Sequence, residues 1–257
     1  MVESKCKICP HNCQSDFESY CGRGEHGQIS SMAIDPIEKK PLRHFHPGRP
    51  IFSIGGFGCN LRCPFCQNHE IATGKGTDKI LSPEEVITLA KNVPSNIGVA
   101  YTYNEPLIHY SFISKCAELV HQAGLCNVLI TNGYINQEPL QALLPLIDAM
   151  NIDLKGFTEE FYAELGGSLQ PVLDTIELAH QHCHIEITTL VIPNENDTHI
   201  EPIAKWLATL NPEIPYHISR FFPRHQYNDK SPTDTSLIYN LCELAKKHLR
   251  HVYAGNV

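Results

Sequence analysis

Gly58-Cys59-Asn60-Leu61-Arg62-Cys63-Pro64-Phe65-Cys66-Gln67-Asn68 follows directly on an apolar stretch, residues 51–57. The spacing is C-x3-C-x2-C. Three thiolates can hold a cubane iron–sulfur cluster by three of its four irons, because soft thiolates suit such clusters. A full protein set would be four cysteines. Three leave one iron open, and an open iron can bind a small molecule and pass it an electron. The alternative is a three-cysteine zinc site, which needs a histidine as fourth ligand; His69 is close enough in sequence to serve. The spacing favours the cluster.

Outward from this loop, short β-branched runs alternate with helical stretches, the pattern of βα units on a parallel sheet. Strands are predicted at 51–56, 97–103, 127–131, 149–154, 185–192 and 216–221. Helices are predicted at 106–122, 137–147, 169–182, 199–210 and 234–249. A further helix starts at Ser82-Pro83-Glu84-Glu85, where Ser82 is a cap, Pro83 opens the first turn and two acids face the positive end of the dipole. Six βα repeats are too few for the eight of a closed TIM barrel. They predict an α/β fold, a partial (β/α)6 TIM-like barrel. Residues 1–48 read as a small Cys-rich N-terminal extension, and 49–257 as the core domain.

The chain has 257 residues and a formal net charge of -8, so a bulk electrostatic grip on nucleic acid is not indicated. No apolar run approaches a membrane span. Residues 1–10 show neither an apolar core nor a cleavage-site pattern, so no signal peptide is expected. The 11 cysteines then read as metal ligands or free thiols rather than disulfides, in a reducing cytoplasm.

In a parallel sheet, chemistry collects at the carboxyl ends of the strands. The predicted strand ends carry the cysteine loop, Asn104-Glu105-Pro106, Thr131-Asn132-Gly133, Asp153 and Lys155, Asn194 with Asn196-Asp197, and His217, Ser219 and Arg220. A buried polar ligand would need such a rim, although strand ends facing solvent are polar too. Asp153 and Lys155 share one strand face, as do His217 and Ser219.

Four motifs carry a resemblance. The cysteine loop, Tyr101-Thr102-Tyr103-Asn104-Glu105-Pro106, Asp153-Leu154-Lys155 and Pro215-Tyr216-His217-Ile218-Ser219-Arg220-Phe221 resemble radical S-adenosylmethionine (SAM) enzymes close to pyruvate formate-lyase activating enzymes. Residues 35–45 and Cys6-Lys7-Ile8-Cys9-Pro10-His11-Asn12-Cys13 narrow it. They are similar to the radical SAM protein of the AmmeMemoRadiSam system, named for Memo-like and Ammecr1-like companions. The activating enzymes have Gly-Gly-Glu-Pro where this chain has Tyr103-Asn104-Glu105-Pro106. The subgroup's pattern also runs past the Gly-Asn pair into a cysteine-rich tail, whereas this chain stops at Val257.

The resemblance implies a 4Fe-4S cluster on Cys59, Cys63 and Cys66 and SAM chelated to the open iron. One electron, from a donor such as flavodoxin or ferredoxin, would cleave the sulfonium. The resulting 5′-deoxyadenosyl radical would take a hydrogen from substrate, in the activating enzymes a glycine of a partner protein. A small molecule or another macromolecule is the alternative substrate, and a non-enzymatic metal-binding scaffold a third reading.

The implied roles are as follows. Phe65 would lie near the adenine, or be a core phenylalanine under the loop. Asn104 and Glu105 would line the methionine amino group, or cap a helix. Thr131 and Asn132 would reach the ribose, or close a turn at Gly133. Asp153 and Lys155 would meet SAM and a monovalent cation, or form a structural ion pair. His217, and with less support Arg220, would face the ligand. Cys6, Cys9, Cys13 and Cys21 read as a structural zinc site, a second iron–sulfur cluster or uncoordinated thiols, with His11 able to replace one cysteine. Cys116, Cys126, Cys183 and Cys242 read as small buried hydrophobes. The basic segment from Asp35 to His46 reads as a contact for an anionic substrate or partner, or as a solvated loop beside the first strand.

Overall fold

The computed structural model describes residues 5–14, 19–22, 27–76 and 79–257. In chain order the elements are β1 (Gln28–Ile29), β2 (Ser31–Pro36), β3 (Pro50–Gly55), α1 (His69–Ala72), β4 (Lys79–Ile80), α2 (Pro83–Lys91), β5 (Gly98–Tyr101), α3 (Tyr110–Gln122), β6 (Cys126–Thr131) and α4 (Gln137–Leu143). There follow β7 (Ala149–Asp153), α5 (Glu159–Glu164), α6 (Gln170–His180), β8 (His184–Val191), α7 (Ile200–Leu210), β9 (Tyr216–Arg220), α8 (Thr235–Ala245) and β10 (Val252–Gly255). The α2 start is a full capping box. The Glu85 amide donates to Ser82 Oγ at 3.2 Å, and the Ser82 amide donates to Glu85 Oε2 at 2.8 Å.

One open sheet of eight strands organises the molecule, in the order β10-β9-β8-β7-β6-β5-β3-β2. Every neighbouring pair is parallel except β2 and β3. All six predicted strands are present. The sheet is larger than the predicted six, because β10 adds a seventh parallel strand and β2 an antiparallel edge. Neither has a clear sequence signature. Val-Tyr-Ala-Gly is only four residues long and has no alternation. β2 is half polar and ends in Pro36, a residue tolerated at a sheet edge.

Alternation splits each strand between two cores. Val99, Tyr101, Leu129, Met150, Ile152, Ile187, Tyr216 and Ile218 join the large core with the helices. On the opposite face, Ala100, Val128 and Ala149 pack with Ile37, Leu42 and Ile51, flanked by Phe45 and Ile130. Residues 37–48 therefore form a strap laid across the sheet's helix-free face. Asn151 Nδ2 donates to the Pro41 carbonyl at 2.9 Å, and the His44 amide donates to Glu186 Oε1 at 2.7 Å. Beyond β9, the His44 ring meets the Tyr253 hydroxyl at 2.6 Å. Lys40 is buried on Asp35 at 2.8 Å, and Tyr103 donates to the same carboxylate at 3.0 Å. The segment is a packed loop beside the first strand: Ile37 and Leu42 are fully buried, while Arg43, His44 and residues 46–48 are exposed. Residues 31–48, counted with the extension in the sequence, thus pair with the main sheet and pack against it.

Candidate active site

The buried strand β3 delivers the chain to the cysteine loop. Gly58 has φ +87°, and a Cβ there would stand 2.4 Å from the Cys21 carbonyl oxygen, so only glycine fits. Asn104 clamps the entry. Its Oδ1 accepts from the Gly56 amide at 3.0 Å, and its Nδ2 donates to the carbonyls of Phe57 and Gly58 at 3.2 and 3.0 Å. Asn60 is buried and donates to the Tyr134 carbonyl at 2.7 Å.

Cys59, Cys63 and Cys66 are unpaired and partly exposed. Burial pushes the Cys63 thiol up to about 11 and raises Cys59 and Cys66 as well. The three sulfurs feel one another's charge, and the Lys155 ammonium opposes the rise at Cys63 and Cys66. Asn132 Nδ2 lies 3.7 Å from Cys59 Sγ and 2.9 Å from Asn60 Oδ1. His69 does not join the thiols. Its ring stacks on His225 with centroids 4.6 Å apart, and Nδ1 is buried without a partner. Among the described residues, no three His, Cys, Asp or Glu side chains are arranged to hold a single metal ion. Three soft thiols on one loop, with Lys155, Asp153 and Glu105 near enough to act on their charge, fit a cluster better than a lone ion.

At the end of β7, Lys155 Nζ meets Asp153 Oδ2 at 2.9 Å. Burial draws the ammonium down, but Asp153 and Cys63 outweigh it and hold Lys155 above its ordinary value. The turn is fixed from beneath by residues the sequence did not single out. The Lys155 amide donates to Tyr162 Oη at 3.1 Å, and Thr189 Oγ1 donates to the Leu154 carbonyl at 2.7 Å. By sequence Asn196 is only a rim residue. It is fully buried and donates to the Lys155 carbonyl at 2.7 Å.

Other expected ligand groups are already engaged. Glu105 is buried and accepts from Thr131 Oγ1, from the Asn132 amide and from the Leu107 amide, at 2.8, 2.8 and 3.0 Å. Burial raises it to about 7. Glu105, not Asn104, caps the 3-10 turn Pro106–His109. Thr131 Oγ1 accepts from the Gly133 amide at 3.0 Å, so Thr131 closes the turn. Phe65 is buried among Phe161, Leu165, Ile192 and Phe221, the core role rather than an open ring. His217 shares its face with Ser219 as predicted, but it is buried, 2.6 Å from Glu186 and stacked on Tyr253. Arg220 Nε donates to the Thr233 carbonyl at 2.6 Å. Tyr103 carries φ +71°, the left-handed region that costs a side-chain-bearing residue roughly 1–2 kcal/mol.

The N-terminal cysteines lie against this loop. The Cys59 amide donates to the Cys21 carbonyl at 3.0 Å, and His11 Nε2 lies 2.9 Å from the Asn60 carbonyl oxygen. Cys6, Cys9, Cys13 and Cys21 line one pocket. Burial pushes the Cys9 thiol up to about 11. Cys116 and Cys242 are buried, while Cys126 and Cys183 are partly so.

Residues 53–207 match the Radical SAM superfamily. The chain belongs to that family. It is therefore a radical SAM enzyme, and the family implies a 4Fe-4S cluster and SAM. An uncharacterized protein of Methanocaldococcus jannaschii is 37% identical over 98% of this chain and 81% of its own length. A GTP 3′,8-cyclase of Limosilactobacillus fermentum is 32% identical over 54% of this chain and 44% of that protein. The pyruvate formate-lyase-activating enzyme of Clostridium pasteurianum is 23% identical over 62% and 72%. Two solved structures share the fold. A domain of the pyruvate-formate lyase-activating enzyme from Bacteroides vulgatus has a TM-score of 0.53 at 20% identity, over 62% of this chain and 99% of that one. Streptococcus suis SuiB bound to precursor peptide SuiA has 0.61 at 14%, over 85% and 51%. Among the described residues no helix is long and apolar enough to cross a membrane.

Proposed function

We propose that this chain is an activating-enzyme-like radical SAM enzyme that takes hydrogen from a glycine of a partner protein. The observation that carries the reading is the placement of Lys155 and Asp153 beside Cys63 and Cys66, at the carboxyl ends of the strands. Activating enzymes among the relatives support it. Cys59, Cys63 and Cys66 would hold the cluster, which with SAM would supply one-electron reductive cleavage and hydrogen abstraction.

This chain's residues bind and orient. Lys155 pairs with the SAM carboxylate, and Asp153 holds Lys155 in place and faces a monovalent cation. The side chains of Asn104 and Glu105 are spent on the fold, so the backbone at 103–105 receives the methionine amino group while Glu105 stiffens it. Asn132 steadies Cys59 and, with Thr131, borders the ribose. Phe65 backs the adenine side from within its core. Arg220 stands at the rim, and His217 acts through the Glu186 node. Residues 49–257 form the catalytic core and 1–48 its extension. Flavodoxin or ferredoxin is the electron donor, and Memo-like and Ammecr1-like proteins of an AmmeMemoRadiSam system are the companions that residues 6–13 and 35–45 suggest.

The cyclase relatives favour a second reading, a small-molecule substrate. Anaerobic protein reconstituted with iron and sulfide, reduced and given SAM, should form 5′-deoxyadenosine, whereas a Cys59→Ala, Cys63→Ala, Cys66→Ala variant should form none. A glycyl radical seen by EPR on a companion protein supports the activase. A low-molecular-weight product with no protein radical overturns it in favour of the second reading.

A further inference from the structure

We propose that Cys6, Cys9, Cys13 and Cys21 hold a second iron–sulfur cluster, of the 4Fe-4S type, docked against the first cysteine loop. All four line one pocket, whose remaining wall includes Ile8 and Ile108. Four cysteines are the complete protein set for such a cluster, one thiolate to each iron.

The geometry favours a polynuclear guest over zinc. Thiolates on one zinc ion, at about 2.3 Å, stand about 3.8 Å from one another. No three of these side chains are arranged around one ion. They line one shared pocket instead. The backbone is already folded for the purpose. The Cys6 amide donates to the Cys13 carbonyl at 2.9 Å, and the Asn12 amide to the Cys9 carbonyl at 3.1 Å, with Asn12 at φ +46°. Cys13 Sγ already accepts the Tyr20 amide at 3.4 Å, and the Asn60 side chain reaches the Cys9 thiol. Hydrogen bonds to ligand sulfur of this kind tune and steady a cluster.

Charge is partly offset locally. Four thiolates leave the cluster net negative, and a buried uncompensated charge is costly. The Arg62 guanidinium lies 4.3 Å over the Tyr20 ring and donates to the Tyr20 and Cys59 carbonyls. Arg62 thus sits between the two cysteine sets. The segment has little core of its own, and a bound cluster would order it, as metals order other short loops.

The test is iron and acid-labile sulfide per chain after anaerobic reconstitution, with zinc measured in parallel. The wild-type chain should hold about eight irons and eight sulfides, two four-iron clusters. The Cys59→Ser, Cys63→Ser, Cys66→Ser variant should keep about four and show a cluster EPR signal on reduction. The Cys6→Ser, Cys9→Ser variant should also keep about four, with 5′-deoxyadenosine formation remaining measurable. About four irons in the wild type, or stoichiometric zinc without the second set of sulfides, overturns the proposal. That wild-type count does not depend on either variant folding. It is also independent of SAM cleavage, so failure here is distinct from failure of the activase reading.

Discussion

The helix-free face of the sheet has two ends built on opposite plans. At the carboxyl end stand three partly exposed thiols and the Lys155–Asp153 pair. At the amino end the strap of residues 37–48 closes the face with Ile37 and Leu42, and every polar group named there is paired. Glu186 shows the contrast best. It is fully buried and accepts from His184, His217 and the His44 amide, at 3.0, 2.6 and 2.7 Å. One sheet face thus offers binding capacity at one end and stability at the other. The difference predicts that mutations at the two ends separate function from folding.

The largest effect should come from opening the closed end. Leu42→Ala removes a fully buried side chain between strap and sheet and should cost about 2–5 kcal/mol. Denaturant melts should show this loss, while SAM affinity per folded molecule stays unchanged. A stable Leu42→Ala protein with weakened SAM binding would reverse the assignment of the two ends.

Glu186→Gln comes next and is read by pH. Burial pushes the Glu186 carboxyl up, but the bonds from His184, His217 and the His44 amide outweigh it and hold it at about 2. A carboxyl lowered on folding stabilises the fold above its unfolded value near 4.5, and that contribution is lost as pH falls toward 2. It is on the order of 3 kcal/mol. The Gln variant should lose much of the acid slope between pH 4.5 and 2 in a melting series. Asp35, also held at about 2 by Lys40 against the cost of its burial, should leave a residual slope. An unchanged slope would remove Glu186 from the closed end.

Lys155→Met addresses the open end. Hydrogen bonds to charged groups contribute about 1.5–3 kcal/mol, roughly 10–100-fold in affinity. Equilibrium binding to the reconstituted protein should weaken for SAM by that factor, with the iron count intact. Loss of iron instead would make Lys155 a support of the cysteine loop.

The two ends were unequally legible in the sequence. The carboxyl end could be read because its chemistry is written in contiguous motifs: the C-x3-C-x2-C loop and Asp153-Leu154-Lys155 announce themselves on strands of clear periodicity. The closed end is assembled from distant residues. Nothing near His44 signals that its amide meets Glu186, or that Tyr253 lies alongside on a strand too short to recognise. The same limit explains Glu105 and His217. Residue type suggested ligands, but burial and pairing, which spacing does not encode, turned both inward. Tyr103 makes the point at the backbone. The activating-enzyme pattern that the sequence resembles has glycine in that stretch, and here a tyrosine holds φ +71°. Its hydroxyl donates to Asp35, and Lys40 lies 4.6 Å over its ring. Asp35 on β2, with Lys40 beside it, thus braces the Tyr103 side chain, a contact that no local motif shows.

The smallest effect should come from a site belonging to neither end, which sets the baseline for the comparison. Ser82 caps α2 on the helix-covered side, where Val86 and Ala90 enter the large core. Ser82→Ala removes the acceptor for the Glu85 amide and should cost about 1 kcal/mol. The cap's hydrogen bonds run between Ser82 and Glu85, so SAM affinity and the acid slope should both match wild type. If this variant instead weakens SAM binding as much as Lys155→Met does, then affinity is following global stability. The open end would then have no chemistry of its own in that assay, and the contrast with the closed end would fail.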